Sequence, residues 1–195
     1  MAVNINPLSG VINDGAPGAQ AAVGQVQLGA NFSAGSTYGT LWVNQEGRIP
    51  TYCYCAAVGG SITGDVFQLT GSATATVRIT RIIFAATAGA SIVSINRHSA
   101  VDTGGGIAAK TALQYDLNDP APTAVISTFT SAPTPGTNTG TVALGYLPAT
   151  GQLYLDFSLH SEKALVLRGT SDFIVANLTG VATQSFFIQW TEGLT

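Results

Sequence analysis

The chain has 195 residues, 46% hydrophobic and only 9% charged, with a formal net charge of −3; the length suits one domain with an appended arm, and the apolar share suits a sizeable core. Charge far below the usual share of about 25% leaves a free monomer poorly protected against association, and fits a subunit that buries surface in neighbours or a secreted β protein with a Ser/Thr/Asn-rich surface. No basic run is present, and no apolar run approaches the roughly 20 residues of a membrane span, so neither nucleic acid nor a bilayer is an expected partner.

Residues 1–47 are small, polar and Gly-rich, with few large apolar side chains. They read as an N-terminal arm that orders on a partner, or as a long surface loop. A short strand is expected at Leu41-Trp42-Val43. The opening MAVNINPLSG lacks a basic n-region and an apolar h-region, so no signal peptide is expected and the protein is made in a cytoplasm. The sequons at Asn31 and Asn177 read as chance occurrences in a Ser/Thr-rich chain.

Residues 48–195 read as a β-sandwich domain. Its first strand follows Pro50, with Tyr52, Tyr54, Ala56 and Val58 on one face and Cys53 and Cys55 on the other. Val66 to Leu69 forms the second. The stretch Gly71–Arg97 reads as a central hairpin. Its strands are Thr76–Phe84 and Ser91–Arg97, both dense in β-branched residues, with a tight reversal across Ala85–Ala90. Val77 and Ile79 share one face of the first strand, but Ile82 and Phe84 share the other. Either both faces are buried there, or a bulge near Arg81 shifts the alternation. Later strands are expected at Thr111–Tyr115, Ala124–Phe129 and Thr141–Leu147, then around 153–157, 165–168, 173–176 and 186–190. In the last, Phe186, Ile188 and Trp190 face one way. Short strands, frequent turn signals and no capped 3.6-residue period predict an all-β antiparallel sandwich or jelly roll. Its edges would offer unpaired N–H and C=O groups to a neighbour.

Residues that could carry chemistry are few. Cys53 and Cys55, two apart on one strand face, sit about 6.5–7 Å apart with parallel side chains, which disfavours a bridge between them. They read as buried free thiols, or as partners in a disulfide to a neighbouring subunit. Zinc on these thiols would need two more ligands, and only His98 and His160 exist, neither near in sequence; no metal or cofactor is expected. Asp116, Asn118 and Asp119 read as an Asx turn, since the spacing of a calcium loop is missing. His98, Ser99 and Asp102 share the letters of a triad without a nucleophile elbow. Gly104 to Gly106 lack the Lys and Ser/Thr of a phosphate loop and read as a flexible connection. Asp156 with Glu162 or Asp172 would need a set carboxyl separation to act as a glycosidase pair, which sequence does not give. No catalytic residue is expected. The most informative charges are Arg78, Arg81, Arg97 and Arg168. Arg78 and Arg81 lie inside an apolar strand. They pair with carboxylates within an assembly, reach across an interface where Arg is enriched, or snorkel into water.

The segments GSATATVRITRI, SINRHSAVDTGGG, ALQYDLNDPAPTAVISTFTSAPTPGT, KALVLRGTSDFIVANLTG and SFFIQWTE follow one another between Asp65 and Glu192. In this order and spacing they resemble a family of small proteins encoded among the virion genes of tailed bacteriophages. The first 50 residues take no part. The resemblance implies a non-enzymatic virion component: a head decoration or cement protein, often trimeric, that staples the major capsid protein on the capsid exterior after assembly in the host cytoplasm. It carries over no functional residues. On this reading Arg78, Arg81, Arg97, Trp42, Tyr52 and Tyr54 are candidates for subunit contacts, and the arm reaches along the shell. The other reading is a tail or fibre component that binds host glycans, with Tyr38, Trp42, Tyr52 and Tyr54 as a stacking surface for sugars.

Overall fold

The structure, a computed structural model, describes residues 4–6, 11–13, 49–58, 63–158, 165–180 and 183–194. The chain forms two compact units, residues 1–46 and 47–195. The described part of the first is an antiparallel pair, β1 (Asn4–Asn6) and β2 (Val11–Asn13), with Ile5 opposite Ile12. The strand expected at 41–43 lies outside the described residues.

The second unit is all-β, two antiparallel sheets packed face to face. Its strands are β3 (Thr51–Val58), β4 (Gly64–Thr70), β5 (Ala75–Ala88), β6 (Ser91–His98), β7 (Ala108–Lys110), β8 (Leu113–Gln114), β9 (Val125–Thr128), β10 (Asn138–Leu147), β11 (Gly151–Asp156), β12 (Leu165–Arg168), β13 (Phe173–Leu178) and β14 (Thr183–Leu194). The front sheet has the order β10-β6-β13-β4-β9-β7. The back sheet has the order β11-β5-β14-β3-β8, with β12 also on β5. The strand expected at 111–115 is reduced to β8, Leu113–Gln114, and β7 just before it belongs to the other sheet.

Period-two patterning builds the core between the sheets. Along β14, Phe186, Ile188 and Trp190 are buried, while Phe187 and Gln189 are less so. Phe186 stacks on Phe67 of β4 at 4.6 Å between ring centroids, and Tyr52 packs on Trp190 at 6.0 Å. Burial of each such side chain contributes about 1.5–3 kcal/mol.

The central hairpin is a correction. β5 and β6 do not pair: β5 lies between β14 and β11/β12 in the back sheet, and β6 lies between β13 and β10 in the front sheet. The reversal at Gly89, with φ +78°, carries the chain across the sandwich. Val77, Ile79, Ile82 and Phe84 of β5 and Val93 and Ile95 of β6 join one core from opposite sheets. Turn chemistry signals a reversal, but two strands with apolar inner faces gain as much by stacking as by pairing. β5 also runs four residues beyond Phe84, to Ala88.

The break in alternation along β5 is a bulge. Gln189 opposes Arg81 and Trp190 opposes Ile79, so Thr80 is the extra residue. Ile79 and Ile82 therefore both face inward despite their odd spacing. At the side of the sandwich, a Cβ on Gly145 of β10 would lie 2.7 Å from the Leu153 side chain of β11. The missing side chain lets Leu153 close the core between the two edge strands.

Candidate functional site

Two features stand apart from the packed core: a buried polar cluster under a loop layer on the front sheet, and the apolar edge at β10.

The cluster joins three parts of the chain. Asp65 begins β4, His98 ends β6, and Asp102 follows in the loop after β6. Along β6, Val93 and Ile95 point into the core, so Asn96 and His98 point away from it. On β4, Val66 is a bulge opposite the Ala176–Asn177 step, and this turns Asp65 toward Asn177. Asn177 Nδ2 donates to Asp65 Oδ1 at 2.7 Å. His98 Nδ1 and Asp102 Oδ1 are 3.0 Å apart. One donor atom from each of Asp65, His98 and Asp102 lies within 4.8 Å of the others.

All three residues are buried, at 1%, 4% and 2% exposure for Asp65, His98 and Asp102. The cover comes from residues 99–107 and 129–137, which zip together. Ser99 N donates to Thr137 O at 2.9 Å, Thr103 and Thr134 form a β-bridge, and Thr130 and Ser131 both donate to Gly105 O. Gly104, Gly105 and Gly106, all at φ near +60° to +70°, make an ordered turn in this clasp. A Cβ on Gly136 would collide with the Ala100 carbonyl. Asp102 pins the cover to the sheet. Its N–H donates to Gln68 Oε1 of β4 at 2.9 Å, and its Oδ1 accepts Gly136 N at 2.7 Å.

The second oxygens, Asp65 Oδ2 and Asp102 Oδ2, are buried and receive no hydrogen bond from any amide, hydroxyl or ring donor, while the two carboxyl groups lie within hydrogen-bonding reach of each other. Burial pushes the Asp65 carboxyl up; the Asn177 amide pulls it back, the Asp102 carboxyl raises it again and His98 lowers it. A different buried acid shows what a satisfied carboxylate looks like here. Glu192 accepts Thr123 N at 2.9 Å, Ala124 N at 3.0 Å, Trp190 Nε1 at 3.0 Å and the Thr123 hydroxyl. It ties β14 to the segment before β9 and leaves neither oxygen idle.

The structure brings His98 and Asp102 together but leaves Ser99 exposed, so the three letters make no triad. Asp116 forms the expected Asx turn, accepting Asn118 N at 2.9 Å. Asp156 lies 3.9 Å from Arg81 and Asp172 lies 2.6 Å from Arg97, while Glu162 is outside the described residues. Sequence reasoning missed Asp65, Gln68 and Asn177 as partners of the cluster. The available signal was an acid and an amide inside the apolar run of β4.

The residues expected at subunit contacts are scattered. Tyr52 is core, 1% exposed, with its hydroxyl donating to Pro120 O at 2.8 Å. It therefore has no ring face left for a neighbour or a sugar. Tyr54 is half-buried against Phe186. Arg78 is exposed on β5, and Arg81 lies 5.1 Å from the Tyr154 ring centroid. Arg97 is spent inside the chain on Asp172 and the Val166 carbonyl. Tyr38 and Trp42 are outside the described residues. Cys53 is half-buried and Cys55 exposed, both free thiols, so Cys55 corrects the expectation of a buried pair. Cys55 rims a shallow depression of about 530 Å³ with Ile83 and Phe187.

β10 is the edge of the front sheet, and among the described residues it pairs with β6 alone. Its sequence NTGTVALGYL carries no charge. Leu144 and Tyr146 are 69% and 65% exposed, and Ile92, opposite Tyr146 on β6, is also exposed. Thr139 and Val142 are extra residues in the ladder, so the first half of the strand is bulged and Ala143–Leu147 is regular. No protein-family model, no curated protein and no solved structure matches this chain.

Proposed function

We propose that the chain is a structural subunit of a tailed-bacteriophage virion: a capsid decoration protein that joins copies of itself, as a trimer, and binds the major capsid protein lattice. The observation that carries this reading is the uncharged edge of β10, with Leu144 and Tyr146 exposed beside Ile92. A free apolar edge is a template for pairing with another chain, and soluble monomers block it with Lys, Pro or bulges. Bulges interrupt the first half of β10, but nothing of that kind interrupts Ala143–Leu147. The chain-wide shortage of charge supports the same reading. One such contact is weak; repeated over a lattice it gains strength by multivalency. Residues 1–47 add contact area toward the roughly 1,600 Å² of a stable pair.

Sedimentation velocity tests the edge. The full chain is expected to form a concentration-dependent oligomer, and the double variant Leu144→Lys, Tyr146→Lys a folded monomer. Identical sedimentation of the two overturns the contact. Electron microscopy of intact virions with a label on this chain tests its location. A regular array over the head is the expected result. Label at the tail or fibre tip replaces decoration with receptor binding, and a virion without label removes the virion reading.

A further inference from the structure

We infer that Asp65, His98 and Asp102 form a binding site for one divalent transition-metal ion, which staples the loop cover to the front sheet. Three parts of the chain converge there with donor atoms within 4.8 Å of one another. One imidazole and two carboxylates are a donor set suited to zinc and its first-row neighbours.

Three observations separate this cluster from an ordinary buried network. Each carboxylate uses one oxygen within the protein and keeps the other, Oδ2, buried and facing no amide, hydroxyl or ring donor, with only the other carboxyl group in hydrogen-bonding reach. Leaving such atoms dry and without such a donor costs free energy, which ion coordination would recover. The oxygens in use are held as outer-shell contacts hold metal ligands: Asp65 Oδ1 by the Asn177 amide, and Asp102 Oδ1 by Gly136 N–H. Finally, Glu192 shows that this fold can saturate a buried carboxylate with four donors where the role is structural.

The geometry suits the ion. Bonds near 2.1 Å in a tetrahedral site place donors about 3.4 Å apart. With the donors within 4.8 Å of one another, the widest pair would close by at most about 1.4 Å, a movement available to carboxylate rotation. A divalent charge would balance the two carboxylates. Because Asp102 belongs to the cover and Asp65 and His98 to the sheet, the ion would cross-link residues 99–107 to β4 and β6.

Zn²⁺ is the probe. The full chain is stripped with EDTA and dialysed, and metal uptake is measured by titration calorimetry and elemental analysis. The expected result is one tightly held Zn²⁺ per chain and a melting temperature raised by roughly 5 °C or more at saturating ion. Asp65→Asn and Asp102→Asn are each expected to abolish uptake, and Cys53→Ser with Cys55→Ser to leave it unchanged. Uptake that follows the cysteines, or no stoichiometric uptake, overturns the site and leaves the carboxyls sharing a proton. The unaltered chain decides the matter even if a variant fails to fold. Co²⁺ must shift the ring resonances of His98 and not those of His160, and the reverse pattern overturns the proposal.

Discussion

Arg97 of β6 donates to Asp172 at 2.6 Å, and through its other terminal nitrogen to the Val166 carbonyl of β12 at 2.5 Å. A front-sheet side chain thereby clamps a back-sheet strand. Asp172 in turn accepts Arg168 N at 3.0 Å with its second oxygen, so the turn after β12 is held on both sides. Arg97→Ala should destabilise the fold by about 1.5–3 kcal/mol, the range for charge-assisted bonds. Urea unfolding of Arg97→Ala, Asp172→Ala and the double variant measures the coupling. Additive losses would mean that the clamp contributes nothing as a pair.

Glu192 holds four donors with one carboxylate, including the indole N–H of Trp190 two residues before it. Glu192→Gln turns an amide N–H₂ toward groups that are themselves donors. The expected cost is at least about 2 kcal/mol, read as a lower midpoint in chemical denaturation. A near-neutral result would show that water replaces the lost acceptor.

The two thiols should differ in reactivity. Cys55 is exposed, whereas Cys53 is half-buried and burial, with Cys55 beside it, pushes its thiol up. The thiolate is the nucleophile, so iodoacetamide at pH 8 should modify Cys55 well before Cys53. Peptide mass spectrometry over a time course reads the order. Equal rates, or Cys53 first, would contradict this assignment.

Tyr52 should resist ionisation. Burial above all, then the nearby charges of Glu192 and Asp119, push its hydroxyl from 10.0 to about 12. Above pH 10 the unfolded chain loses this proton while the folded chain keeps it. Stability therefore falls as pH rises from about 10 to about 12, by roughly 1.4 kcal/mol per unit from this group. Below pH 10 both states are protonated and the group adds no slope. Denaturation midpoints across this range should fall less steeply for Tyr52→Phe. Equal slopes would mean that other tyrosines carry the effect.

Alternation along β3 and β14 made the sandwich legible in the sequence, because each inner face is a clean period-two run ending in Tyr52 or Trp190. The shifted spacing of Ile79 and Ile82 left two accounts open, burial of both faces or a bulge near Arg81, and the ladder with β14 decides for a bulge, at Thr80. The relation between β5 and β6 was not legible, since a reversal at Gly89 is compatible with pairing or stacking. Only the competition among β14, β10 and β13 for ladder partners decides it. The polar cluster was half legible. His98 and Asp102 are four residues apart and visible as a pair, but Asp65 reaches them through tertiary folding and a bulge that no local pattern encodes. That the sandwich would have edges was expected, whereas β10 as one of them depends on the strand order, and Leu144 and Tyr146 as its exposed residues depend on the register with β6.

The order of the back sheet has a consequence for synthesis. β14 lies between β5 and β3, yet follows both in the chain. While a ribosome is still making the residues before Thr183, those two strands have no shared partner, and the apolar inner face of β5 has no completed layer around it. The sandwich can therefore close only after β14 has cleared the exit tunnel. Until then the nascent chain depends on chaperones, or on its own bulges, to keep β5 from pairing with a strand of another nascent chain.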